Sequence, residues 1–142
     1  MTDATVSGVV SGYLEALGRR GDYGRLLAPG VVFEAPGSWR LEGAAAVEAA
    51  VRHHYEVEFD ARPEVVALVA DDHRAAAEIV FTGTHVGDYA GIPPTGNRVR
   101  VPLSMAFDVE NGLITAIRVY YAPEQLLAQL RTEHAVDRRG PT

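Results

Sequence analysis

The feature that most constrains the fold is a series of strand-forming segments joined by turn signals. Asn111-Gly112 lies between segments 97–110 and 113–121, and this dipeptide is a strong indication of a tight β-hairpin. Asp71-Asp72 marks a second turn, between segments 62–71 and 73–85. Consecutive hairpins of this kind predict an antiparallel sheet.

Helical periodicity comes before these strands. Between residues 5 and 22, apolar side chains recur at helical spacing, and Asp3 or Thr5 is available as the N-cap. A short helix is predicted at 22–28, ended by Pro29 and Gly30, and a third helix at Gly43–Tyr55.

Three further segments complete the prediction. Residues 31–36 form a strand ended by Pro36, and residues 123–131 form a helix that begins at a proline. Helices followed by hairpin-linked strands predict an α+β fold, which we interpret as one domain over residues 1–142. Residues 132–142 carry few apolar side chains, so we expect a frayed end.

Composition excludes several classes of function. The net charge is −6 and no basic stripe is present, which argues against a nucleic-acid partner. The chain has no cysteine, and all 13 basic residues other than histidine are arginine, so thiol and lysine Schiff-base chemistry are excluded. No residue pattern indicates a metal or a cofactor. The N-terminal residues form no signal peptide and no segment could span a membrane, so we expect a cytoplasmic protein.

Three strings resemble a known group of proteins. The most specific is GTHVGDYAGIPPTGNRVRVP at 83–102, and the others are ENGLITAIRVYYAPEQLLAQL at 110–130 and the opening helices with the first strand. Together they resemble the SnoaL-like polyketide cyclase branch of the nuclear transport factor 2-like superfamily. The resemblance implies a cone-shaped barrel, in which a curved antiparallel sheet wraps around three N-terminal helices. It also implies an apolar pocket for a small polyketide-like substrate, a homodimer and ring closure by aldol chemistry.

Two positions where this superfamily carries a catalytic carboxylate hold alanine. The branch commonly has an aspartate after the last strand, where this chain has Ala122. Related steroid isomerases have an aspartate before the proline that ends the first strand, where this chain has Ala35. Alanine cannot transfer a proton. Ring closure would then need either a relocated acid/base or a pocket that folds a reactive chain without proton transfer, and the second mechanism is slightly favoured.

The candidate catalytic residues follow from these two mechanisms. Tyr13 matches the position at which the steroid isomerases hydrogen-bond a developing oxyanion, although it also belongs to the apolar stripe of its helix. His54, His85 and Asp88 are candidates for a relocated acid/base, each with a purely structural alternative. Tyr120 is a candidate because strand alternation places it on the same side as Ala122.

The candidate substrate-binding residues lie on the predicted strands and beside them: Phe33, Glu34, Trp39, Leu103, Met105, Phe107 and Arg118. Glu34 is also a candidate base, but a place at the rim or an interface is favoured. Loop 86–97, with its Pro-Pro pair and its glycines, is expected to gate or line the mouth of the pocket, or simply to connect two strands.

Two rival functions and an interface stay open. A non-catalytic binding protein would also lack the two carboxylates, and epoxide opening would need a carboxylate pair that the sequence does not show. If Ala122 faces the pocket, then Ile117, Val119 and Tyr121 lie on the opposite face. An apolar outer face of this kind predicts a homodimer that packs through it.

Overall fold

The computed structural model describes residues 5–132. The helical elements are α1 (Val6–Gly18), a 3-10 turn (Tyr23–Leu26), α2 (Ala44–Arg52), a π-helical turn (His53–Glu58) and α3 (Pro123–Arg131). The strands are β1 (Leu27–Ala35), β2 (Trp39–Glu42), β3 (Phe59–Ala70), β4 (Arg74–His85), β5 (Arg98–Glu110) and β6 (Leu113–Tyr120). The frayed end predicted beyond residue 132 lies outside the described residues.

The six strands form one curved, unclosed sheet in the order β2-β1-β6-β5-β4-β3. Both predicted hairpins are present, and Asn111 and Gly112 have the positive φ values of 52° and 77° that a tight hairpin turn requires. The α+β cone is therefore confirmed. The sheet is mixed rather than purely antiparallel, because β1 pairs with β6 in parallel.

The structure differs from the sequence prediction at three places along the N-terminal half. The predicted helix at 22–28 is only the 3-10 turn, and β1 already begins at Leu27. Strand β2 was not predicted; it pairs antiparallel with β1. The third helix is α-helical only to Arg52 and then widens into the π-helical turn, a local irregularity that occurs frequently at functional sites.

The concave face of the sheet packs on the helices. Thr5 caps α1 as predicted, accepting a hydrogen bond from the Gly8 backbone N–H at 3.0 Å. Tyr13 of α1 lies in the main core cluster together with Phe107 and Ile117 of the sheet. A second cluster, beside α3, contains Phe59 and Phe81. Within residues 5–132, no helix has the length and apolar character needed to cross a membrane.

Candidate functional site

A cavity of about 370 Å³ opens between the helices and the concave face of the sheet. Its walls are apolar and aromatic, and none of the described residues that line it is Asp, Glu, Arg or Lys. Six of the sequence-predicted site residues lie on these walls: Tyr13, Phe33, Trp39, His54, Leu103 and Met105. The size and lining fit a small, neutral, largely apolar molecule.

Tyr13 enters the cavity from α1. Its ring packs edge-to-face on Tyr23 and Phe107, with centroids 5.7 and 6.2 Å away, and its side chain is almost completely buried. Burial, reinforced by the nearby Tyr55, Tyr23 and Glu48, raises the pKa of the phenol well above its usual range. The hydroxyl therefore keeps its hydrogen and can donate it to a carbonyl oxygen in the cavity.

His54 is the imidazole of the cavity wall among the described residues. It lies in the π-helical turn, where Glu58 follows four residues later, and its Nδ1 lies 2.9 Å from the Glu58 Oε1. The ring stacks on Phe81 with a centroid distance of 4.8 Å. A carboxylate accepts hydrogen bonds only, so Nδ1 carries the hydrogen and Nε2 has the free lone pair. The sequence prediction found His54, but not the partner that orients it.

Loop 86–97 supplies one of the aromatic neighbours of His54. Tyr89 of this loop lines the cavity, and its ring centroid lies 5.7 Å from that of His54. The loop was expected to gate or line the pocket, and Tyr89 is a residue of it that lines the cavity. Tyr89 itself was not singled out from the sequence. The gating motion of the loop stays a prediction.

The two other predicted acid/base residues lie away from the cavity wall. His85 is fully buried, and its Nδ1 accepts a hydrogen bond from the Thr95 backbone N–H at 3.1 Å. This contact fastens the loop, because the imidazole replaces a backbone acceptor there. Asp88 is exposed on the loop and does not line the cavity. Neither placement fits a group that exchanges protons with a molecule in the cavity.

The last strand faces the opposite way from the prediction. Ile117 is fully buried, and Val119 and Tyr121 line the cavity. Tyr120 therefore points outward and is 49% exposed, and Arg118 binds the Asp108 carboxylate on the same outer face at 2.9 Å. Strand alternation was correct, but the choice of inner face was wrong, so Tyr120 and Arg118 leave the candidate site.

This reversal also changes the predicted interface. Ile117, Val119 and Tyr121 are inside the protomer and cannot form a dimer surface. The outer face of the sheet carries a second, more open depression, and its lining includes Val66, Pro102 and Tyr120. The homodimer itself stays a prediction.

Two predicted substrate-binding residues, Phe107 and Glu34, do not line the cavity. Phe107 is fully buried in the core beneath Tyr13 and does not reach the cavity surface. Glu34 follows Phe33 in β1 and points to the other face of the sheet, as its alternation requires. Phe33 instead packs on Trp39 at a centroid distance of 5.0 Å, and these two rings form one wall of the cavity.

The model of the SnoaL-like polyketide cyclase family matches residues 10–130 of the sequence. The chain belongs to this family. Ala122, the position at which the resemblance implied an aspartate, is exposed directly before α3, and the neighbouring Tyr121 lines the cavity wall. Ala35, the second empty carboxylate position, is buried in β1.

Solved structures show the same fold. A candidate polyketide cyclase of Xanthomonas campestris is 26% identical, with a TM-score of 0.78 over 87% of this chain and 94% of its own. TsrD of Streptomyces laurentii is 27% identical, with a TM-score of 0.75 over 92% and 98% of the two chains. An LEH-like epoxide hydrolase of Mycobacterium tuberculosis is 20% identical, with a TM-score of 0.69 over 86% of each chain, and this likeness concerns the fold alone. No curated protein sequence matches the chain.

The described part of this cyclase-family chain contains no cluster of three or more His, Cys, Asp or Glu that could hold a metal ion. The polar groups that face its cavity are instead an imidazole and several phenols: His54, Tyr13, Tyr55, Tyr89 and Tyr121. Of the residues that sequence reasoning missed, Tyr89 had a usable signal, because it lies in the middle of the most specific string. Tyr55 belonged to the helical repeat of the predicted third helix. Glu58 lay beyond the predicted end of that helix at Tyr55, so its i,i+4 spacing from His54 was not used.

Proposed function

We propose that this protein closes a ring in a neutral, largely apolar polyketide-type intermediate, with His54 as the relocated acid/base. The observation that carries the proposal is the 2.9 Å contact between the His54 Nδ1 and the Glu58 carboxylate, on the wall of an otherwise apolar cavity. An imidazole oriented by a carboxylate is a recurrent arrangement for general base catalysis. In this proposal the His54 imidazole takes over the function of the carboxylates that are missing at Ala35 and Ala122.

The reaction begins with removal of a proton next to a carbonyl group. The His54 Nε2 lone pair takes the proton from the carbon, and the electron pair of the broken C–H bond moves into an enolate. The ring becomes an imidazolium, which the Glu58 carboxylate stabilises through the Nδ1–H hydrogen bond. The enolate oxygen accepts a hydrogen bond from the Tyr13 hydroxyl, which burial keeps protonated.

The ring then closes within the same molecule. The enolate carbon attacks a second carbonyl carbon, a C–C bond forms, and the carbonyl π electrons become an alkoxide. The alkoxide takes the proton back from the His54 Nε2–H, so the step is a net isomerisation and the enzyme returns to its starting state. The apolar walls hold the chain folded, which supplies the orientation that intramolecular closure needs.

Proton transfer is favoured here over the other two functions because of the His54 geometry. A binding protein without chemistry needs no oriented imidazole in its cavity. Epoxide opening is usually assisted by carboxylates that flank a water or hydroxyl, and no described residue lining this cavity carries a carboxylate.

The proposal is tested by proton exchange on a simple ketone. With 1-tetralone in D₂O, the wild-type protein is expected to accelerate exchange of the protons next to the carbonyl, followed by NMR. His54→Gln should lower the protein-catalysed rate by at least about 100-fold, the usual contribution of a general base. His73→Gln, at an exposed turn between β3 and β4, is the matched control and should not change the rate. Equal rates in His54→Gln and wild type would refute the base and leave ring closure by confinement or simple binding.

A further inference from the structure

Tyr89 is held on the cavity wall by a tight turn in the middle of loop 86–97. Tyr89 and Ile92 exchange backbone hydrogen bonds of 3.0 and 2.8 Å, and the two residues between them, Ala90 and Gly91, have φ values of 51° and 79°. Positive φ at both central positions is typical of a type I′ hairpin turn. Because alanine rarely adopts this conformation, the turn is maintained by its surroundings, and it fixes the direction of the Tyr89 side chain.

The same loop is fastened to the residue that orients His54. The backbone N–H groups of Val86 and Gly87 donate to the Glu58 carbonyl oxygen at 3.1 and 3.0 Å. A Cβ on Gly87 would collide with the Val57 carbonyl oxygen, so only glycine permits this close approach. Glu58 therefore holds the loop with its backbone and the imidazole with its carboxylate, which places Tyr89 beside His54.

Tyr89 shares the cavity wall with a second phenol, Tyr121. The Tyr89 ring contacts His54 and Phe59, with centroids 5.7 and 5.2 Å away. Burial, Tyr121 and Glu58 together raise the pKa of Tyr89 to about 12, so the hydroxyl stays protonated at neutral pH. A protonated phenol on the cavity wall has a hydrogen that it can donate to an oxygen acceptor.

We propose that the hydroxyls of Tyr89 and Tyr121 form a binding site for a carbonyl oxygen of the substrate and fix its orientation against His54. This inference rests on the proposed function, because it assigns the orientation of the molecule whose proton His54 removes. A free donor in an apolar wall favours an oxygen acceptor over a hydrocarbon of the same shape. The cavity therefore selects neutral ketones, and loop 86–97 contributes to this selectivity through Tyr89.

The test compares two ligands that differ only at the carbonyl group, 1-tetralone and tetralin. Binding to the full chain is followed through the fluorescence of Trp39, the single tryptophan, which lies on the cavity wall. The double variant Tyr89→Phe/Tyr121→Phe keeps both rings and removes both hydroxyls. It should weaken 1-tetralone binding by roughly three- to tenfold, as expected for loss of one hydrogen bond. Tetralin binding should change by less than about twofold, because its apolar contacts are kept.

Tyr120→Phe is the matched control, since Tyr120 lies on the outer face of the sheet at the end of β6, directly before Tyr121. It should leave both affinities unchanged. Equal weakening of both ligands in the double variant, or no weakening of either, would overturn the oxygen-binding site. Binding needs no turnover, so failure of the inference is distinguishable from failure of His54 as the base, which the exchange assay reports.

Discussion

Glu58→Gln separates the electrostatic part of the His54 mechanism from its geometry. A glutamine amide oxygen can still accept the Nδ1–H hydrogen bond, and the backbone contacts of Glu58 with loop 86–97 do not involve the side chain. The substitution thus removes a negative charge and leaves the imidazole in place. The proposed reaction turns this imidazole into a cation, so the rate should depend on that charge.

The size of the effect follows from the position of the pair. Two unit charges 4 Å apart attract by about 1 kcal/mol in water and by about 4 kcal/mol at an effective dielectric constant near 20. The side chains of His54 and Glu58 are 32% and 20% exposed, so their interaction lies between these limits. Loss of about 2 kcal/mol of stabilisation from the transition state corresponds to a rate lowered roughly 30-fold.

The assay is the exchange of the protons next to the carbonyl of 1-tetralone in D₂O, measured with wild type and variant at the same pH. Glu56→Gln is the control, because Glu56 binds Arg52 at 2.9 Å rather than the imidazole. An unchanged rate in Glu58→Gln, together with a large loss in His54→Gln, would refute the stabilising role of the carboxylate.

Three further predictions concern the cavity, the loop and alkaline stability. Val119→Arg should abolish 1-tetralone binding in the fluorescence titration, because it places a cation in an apolar cavity. A variant that binds 1-tetralone normally but no longer forms a dimer would show instead that Val119 lies on the outer face. Gly87→Ala should lower the free energy of unfolding in urea by roughly 1–3 kcal/mol through its collision with a backbone carbonyl. Gly30→Ala is the control, because a Cβ at Gly30 would have open space around it, and it should lower the free energy of unfolding far less. Equal losses in the two variants would contradict the tight contact at Gly87. Partial burial raises the pKa of Tyr89 from 10.0 to about 12, so this phenol binds its proton more tightly in the folded state. The urea midpoint should therefore fall as the pH rises from 10 towards 12. In Tyr89→Phe the urea midpoint should depend less steeply on pH over this range.

Features set by neighbouring residues could be predicted from the sequence by itself. The hairpin at Asn111-Gly112 needs only a turn that accepts positive φ, and α1 needs only its cap at Thr5 and its apolar stripe. The cone fold and the apolar pocket followed from the strings that resemble the family, and the family match confirms that assignment. Tyr13 could be named as a candidate for the same reason, whereas His54 was a candidate because it lies on the apolar side of its predicted helix.

The tertiary structure decided the rest of the site. Alternation along β6 defines two faces, but it does not say which one is turned inward, and the packing of Ile117, Val119 and Tyr121 against the helices settles that choice. Likewise, the predicted third helix ended at Tyr55, so the contact of His54 with Glu58 four residues later became visible only because the structure continues the helix as the π-helical turn. Tyr89 reaches the same place only because a loop far along the chain folds back onto Glu58. Proximity between distant segments results from packing of the whole chain, and local periodicity carries no information about it.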